Sequence, residues 1–143
     1  MPTHHPAIIP CLRYENAIRA IDFLCDAFGF ERHAVFADPD DPKIIHHAQL
    51  VREGQMIMLS TAQQSKFSQV SPMVSVKEAG GSTQSAYVVV EDVDAHAAQA
   101  RAAGAVVYME PRDQDYGGRG YGARDTEGNV WSFGSYAPFA PAF

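Results

Sequence analysis

The stretch VREGQMIMLS at residues 51–60 has a counterpart in RDTEGNVWSFGSY at residues 124–136. Each carries an acidic residue, a glycine, an amide side chain and then a mostly apolar run. The correspondence extends outward. NAIRAIDFLCDAFGF (16–30) places apolar residues at 17, 21, 24, 25 and 28, the spacing of one helical face, with Asn16 as cap and Gly29 as a left-handed stop. DVDAHAAQARAAGA (92–105) repeats the scheme, with Asp92 as cap, Val93, Ala97 and Ala100 on one face and Gly104 as stop. Asn16 and Asp92 are 76 positions apart, Gly29 and Gly104 75, and Gly54 and Gly128 74, a drift that small loop differences produce. A tandem copy of one supersecondary unit is the reading that constrains the fold most.

A strand candidate precedes each helix, at 7–14 and 84–91. Three follow each: 31–37, 44–52 and 55–60, then 105–110, 119–125 and 129–136, with β-branched and aromatic residues between Gly, Pro and Asp punctuation. The order βαβββ, twice, predicts an α+β fold in one domain over 1–143. The first module covers 7–60 and the second 84–136. Between them lies a polar, Gly/Ser-rich connector, 61–83, read as a linker or flap. Glu53-Gly54-Gln55 and Glu127-Gly128-Asn129 read as hairpin turns with glycine at positive φ.

Composition excludes several function classes. A formal net charge of −6 argues against nucleic acid, whose affinity comes from Lys and Arg neutralising phosphates. The longest apolar run, near AYVVV (86–90), is too short to cross a bilayer, and MPTHHPAIIP lacks the pattern of a signal peptide. Two cysteines, Cys11 and Cys25, make no disulfide framework, so a cytoplasmic location is the default expectation.

Paired βαβββ units, one opened by IIPCLRYENAIRAIDFLCDAFGF and the other made of YVVVEDVDAHAAQARAAGA followed by YGGRGYGARDTEGNVWSFG, resemble the vicinal-oxygen-chelate superfamily. That group includes glyoxalase I, extradiol dioxygenases and the bleomycin-resistance proteins. The pattern Y-G-x-R-x-Y followed by D-x-x-G-x-x-W is most similar to the bleomycin-resistance and PhnB-like branch. The resemblance implies a cupped mixed sheet with helices on its outer face, a ligand inside, and a homodimer. It also implies one divalent ion held by His, Gln or Glu from the first and last strand of each unit. Counted from the helices and turns, those positions fall on Ile9, Met58, Ser85 and Ser132. A thioether is too soft and neutral hydroxyls too weak for Zn, Fe, Mn or Ni, so no metal and no other cofactor is expected. Slipping each strand by one residue brings in only Gln84 as a ligand type.

Strand alternation from those positions sends Ile9, Cys11 and Arg13 into the cup, with Met56, Met58, Ser60, Ser85, Tyr87, Val89, Val130 and Ser132. Ile57, Leu59, Ala86, Val88, Trp131 and Phe133 then pack against the helices. The inner list is apolar and sulfur-rich, with a few hydroxyls and one cation. Such a surface suits a small organic or planar aromatic ligand, although inward strand residues also fill closed barrels. Met58, Tyr87 and Tyr116 are expected to give apolar or stacking contact. Cys11 shares their face, Arg13, Ser85 and Ser132 are expected to give polar contact, and Arg119 to close over the ligand. The leading expectation is a small-molecule binder that sequesters its ligand. The alternatives are a metal-dependent glyoxalase or dioxygenase with a displaced site using His46 or His47, and an interaction module with no ligand. His46 and His47, as strand neighbours, are expected on opposite faces. His33 and His96 read as surface residues, GGRGYG (117–122) as a place of close backbone approach or a mobile loop, and DPDDPK (38–43) as a solvated turn.

Overall fold

The computed structural model describes residues 6–63 and 73–139. Strand β1 (Cys11–Tyr14) leads into helix α1 (Ala17–Phe28), then β2 (Glu31–Ala37), β3 (Ile45–Arg52) and β4 (Gln55–Thr61). A short helix α2 (Val76–Ala79) precedes the second set: β5 (Ala86–Val89), α3 (Val93–Ala102), β6 (Val106–Asp113), β7 (Arg119–Arg124) and β8 (Val130–Gly134). The helices begin where their caps dictate. The Asn16 side chain accepts the Arg19 amide at 3.1 Å and the Asp92 carboxylate that of Ala95 at 3.0 Å, each relieving an otherwise unpaired first-turn donor. Gly29, at φ 85°, takes the left-handed position that ends α1.

Each module forms one four-stranded sheet, ordered β1-β4-β3-β2 and β5-β8-β7-β6. The second, third and fourth strands of each module pair antiparallel, and each first strand pairs in parallel with the last strand of its own module. Cys11 therefore lies beside Met58 and Arg13 beside Ser60, while Tyr87 lies beside Ser132. The architecture is the α+β tandem that the repeat implies. Three local readings change. Residues 7–10 are not strand, and β6 runs on to Asp113 through two bulges. The end of the connector is built: α2 is capped by buried Ser75, and the Val130 amide donates to the Ser82 hydroxyl at 3.0 Å. The rest of the connector, 64–72, lies outside the described residues.

The core lies on the helix side. Leu24, Phe28, Leu59, Ala97, Tyr121, Trp131 and Phe133 are buried there, with Phe28 packed on both Trp131 and Phe133 across the module boundary. Burying a side chain of this size stabilises by about 1.5–3 kcal/mol. Polar contacts reinforce the joint. The buried Tyr14 hydroxyl donates to Asp125 Oδ2 at 2.6 Å, and Trp131 Nε1 donates to the same oxygen at 3.1 Å. Glu127 reaches the start of α1, accepting the Glu15 and Asn16 amides at 2.7 and 2.8 Å. A carboxylate at a helix start meets both free amides and the positive end of the dipole.

The two glycine turns are not alike. Glu53 and Gly54 both have positive φ, 48° and 77°, making a two-residue hairpin of the primed kind. Its counterpart spans residues 125–129, with Asp125 Oδ1 accepting the Glu127 and Asn129 amides, both at 3.0 Å. The longer loop is what carries Asp125 and Glu127 into the joint.

Candidate functional site: two open sheet faces

Alternation along β4 and β8 sorts their side chains by face. Ile57, Leu59, Trp131 and Phe133 are at most 5 % exposed, on the helix side. Met56, Met58, Ser60, Val130 and Ser132 are half-buried on the other side. The same open faces receive Cys11 and Arg13 on β1, and Tyr87 and Val89 on β5, which agrees with the alternation expected from sequence.

Three cavities lie along these strands. The largest, about 570 Å³, is lined on the first sheet by Cys11, Arg13, His47, Met58 and Ser60, with Met73 from the described end of the connector. A second, about 510 Å³, runs along the seam where β1 meets the entry to β5, and both Arg13 and Ser85 border it. A third, about 340 Å³, lies where Met56 faces Tyr87 and Val89. Cys11 and Arg13 thus border both of the first two cavities, Met58 the first, Ser85 the second and Tyr87 the third. Ser132 and Tyr116 line none of these three cavities, although Ser132 sits beside Tyr87 in the ladder.

The open face of the second sheet is a glycine floor under tyrosines. The Tyr108 ring occupies the space a Cβ on Gly122 would need, and the Tyr87 hydroxyl would be 2.5 Å from a Cβ on Gly134. Tyr87 donates to the Tyr136 carbonyl at 2.7 Å, and the Tyr116 ring meets Tyr136 edge-on at 5.1 Å. Arg124 lies over the Tyr108 ring at 5.1 Å, within cation–π range. Close backbone approach is therefore the reason for glycine at position 122 of GGRGYG, whereas Gly117 and Gly118 take positive φ, 118° and 68°. Tyr108, Tyr136, Met73 and Gln63 were missed by sequence reasoning. The signal for Tyr108 was present, because a strand glycine marks a partner that needs its space.

Other expectations are corrected. Arg119 does not close over the cup. It alternates with buried Tyr121 and Ala123 on the helix side, with Nε and Nη2 donating to the Asp94 carboxylate at 2.9 and 3.0 Å. Asp113 adds a further contact at 3.2 Å, and these two carboxylates hold the guanidinium firmly protonated. His96 is not a surface residue: it stacks between Phe28 and Phe133. Its Nε2 donates to the Phe28 carbonyl at 3.1 Å, which leaves Nδ1 to accept from the Tyr121 hydroxyl at 2.6 Å. Burial lowers its pKa, the Phe28 carbonyl works the other way, and the Arg52 charge adds to the lowering. His46 and His47 both border the largest cavity, beside an irregularity in the β2–β3 register between Phe36 and Ala37. His46 contacts Asp38 at 2.9 Å, while His47 contacts Gln49 at 3.0 Å and stacks on Phe36.

The donor set at the implied metal positions does not fit a divalent ion. Ile9, Met58, Ser85 and Ser132 supply an alkyl chain, a thioether and two alcohols. The ladder neighbours of Met58 are Cys11 and Gln49 and those of Ser132 are Tyr87 and Gly122, so a shift of partner brings in a thiol, an amide or a phenol and no His, Asp or Glu. Among the described residues, no three His, Cys, Asp or Glu side chains gather as a metal site. Among the same residues, no helix is long and apolar enough to cross a membrane.

Two βαβββ modules with helices behind and open sheet faces in front define the class of fold shared by glyoxalases and their relatives. The Glyoxalase/Bleomycin resistance protein/Dioxygenase superfamily model matches residues 4–133, and the chain belongs to that superfamily. An uncharacterized protein of Mycobacterium bovis is 33% identical over 131 residues, covering 90% of this chain and 82% of that protein. Among solved structures, TioX from Micromonospora sp. ML1 is similar at 28% identity and a TM-score of 0.68, over 94% of this chain and 98% of the other. A glyoxalase-related enzyme from Fulvimarina pelagi shares the fold at 15% identity and a TM-score of 0.69, over 96% and 91% of the two chains.

Proposed function

We propose that this chain binds a small, planar organic ligand on its open sheet faces, holds no resident metal and sequesters the ligand rather than transforming it. The observation that carries the reading is the identity of the four inner positions. Side chains unable to grip a hard cation stand where the superfamily's enzymes place ligands, within a lining of Met, Tyr and hydroxyl groups. Methionine adapts to irregular apolar shapes and packs well on aromatic rings, and a concave apolar surface with sparse polar groups is the usual form of a small-molecule site. The bleomycin-resistance branch of the superfamily, which the sequence resembles, supports sequestration over turnover. Exposed Phe36 and Val106 on the outer strands favour association of two copies.

Elemental analysis of the purified protein, paired with a thermal-shift screen of planar aromatic compounds, tests this reading. A ligand that binds only the native state raises its stability by mass action, by about 2.7 kcal/mol at a hundredfold excess over Kd. The expected result is substoichiometric metal and a raised melting temperature with at least one planar compound. Stoichiometric Zn, Ni, Fe or Mn overturns it.

A further inference from the structure

Arg13 stands apart from its surroundings. It is half-buried on the open face of β1, and Nη2 donates to the Gln63 carbonyl at 3.2 Å. Its Nε is shielded from solvent and has no hydrogen-bond partner among the described residues. No described carboxylate lies within ion-pairing distance of it, as for Arg19, Arg112 and Arg124, whereas Arg32, Arg52 and Arg101 each have one and Arg119 has two. Residues 64–72, next in sequence to its Gln63 partner, contain no Asp or Glu.

The largest cavity continues the pattern. Beside Arg13 its polar lining consists of His46, His47, Ser60, Thr61 and Gln63, and no Asp or Glu is among its residues. The seam cavity that Arg13 also borders has none either. Acidic residues outnumber Lys and Arg by 17 to 11 in this chain, so walls free of carboxylates around a shielded arginine go against the composition. A shielded guanidinium N–H left without an acceptor is costly, and an anion or other strong acceptor at the exposed side of the group completes it. The planar guanidinium offers two parallel donors to a carboxylate, and the methionines beside it offer an apolar bed for a ring.

From this we infer that the ligand is an organic anion, a planar ring system bearing a carboxylate or a group of like charge, with the anionic end at Arg13 and the ring against Met58 and Met73. The inference rests on the reading of the open faces as a binding site and adds the sign of charge that the site selects.

The test compares two probes of the same shape, 2-naphthoate and its neutral amide, 2-naphthamide, by isothermal titration into the full chain. The expected result is that naphthoate binds about tenfold tighter or more, the range of a charge-assisted hydrogen bond. That preference should vanish in Arg13→Met and survive in part in Arg13→Lys, with circular dichroism confirming that both variants fold. Equal affinity of the wild-type chain for the two probes overturns the inference while leaving the binder reading in place. Binding of neither overturns both. A preference that persists in a folded Arg13→Met overturns the assignment to Arg13. The wild-type comparison stands whether or not a variant folds.

Discussion

Replacing Asp125 with alanine should be the most damaging single change to the fold. The carboxylate is 6 % exposed and accepts from five donors: the Tyr14 hydroxyl, Trp131 Nε1, the Glu127 and Asn129 amides, and, at 3.4 Å, Asn129 Nδ2. Alanine leaves two of these, the Tyr14 hydroxyl and the Trp131 N–H, among the most deeply buried side chains of the molecule with nothing to receive them. Each stranded donor costs about 1–3 kcal/mol, and the loosened turn adds to the sum, so a loss of about 3–5 kcal/mol is expected. Against a total of about 5–15 kcal/mol for a typical domain, that is a fifth or more. Tyr14→Phe removes one donor and leaves the acceptor otherwise occupied, so it should cost about 1 kcal/mol. Because the two residues touch, the double variant should be less damaged than the sum, by about 1–2 kcal/mol. Urea unfolding measures all three, with far-UV circular dichroism alongside the fluorescence of Trp131, the chain's one tryptophan. A loss below about 1 kcal/mol for Asp125→Ala would refute the argument that this carboxylate ties the modules together.

Acid should weaken the same joint through His96. Its folded pKa is lowered, so the unfolded chain takes up a proton first as the pH falls. The stabilisation is whole above the ordinary histidine value near 6.5 and drains away between that value and the lower, folded one. Melting temperature should therefore fall between pH 7.5 and 5.5 more steeply in the wild type than in His96→Gln, whose amide keeps a donor and an acceptor. Parallel slopes would dismiss the idea. Gly134→Ala should cost about 1–3 kcal/mol, since the new methyl meets the Arg119 carbonyl at 3.0 Å as well as the Tyr87 hydroxyl. Scanning calorimetry reads the cost, and an unchanged melting temperature would show that the sheet yields there freely.

What the sequence discloses is mostly periodic. Trp131 and Phe133 alternate with Val130 and Ser132, and the period of two places one pair in the core and the other on the open face without any knowledge of neighbours. Arg119 defeats that kind of reasoning, because its partner Asp94 sits on α3 and only the folded β7 brings them together. The Asp125 loop defeats it differently. Glu-Gly-Gln and Glu-Gly-Asn look alike as strings, yet residues added ahead of the second turn a hairpin into a cross-module clamp. His96 lay within reach: it is three residues after Val93 and four before Ala100, on the very stripe that marks the buried side of α3.

The duplication bears on how an inner site can change. Among the described residues, the main contacts that fix one module against the other lie on the helix side: Tyr14 and Trp131 on Asp125, Glu127 at the start of α1, and the Phe28, His96 and Phe133 cluster. The open faces carry little of that duty. Met58 and Ser132 are half-buried, and Tyr87 remains 41 % exposed. Substitutions at half-buried positions away from caps, clamps and packed cores change stability modestly. A fold held together on its helix side tolerates changes of side chain on the open faces with modest effect on stability. The two open faces differ in chemistry. The first offers a cation among methionines and histidines, and the second offers tyrosines laid over glycines. The ligand proposed above, its anionic end at Arg13 and its ring on Met58 and Met73, draws on the first of these faces.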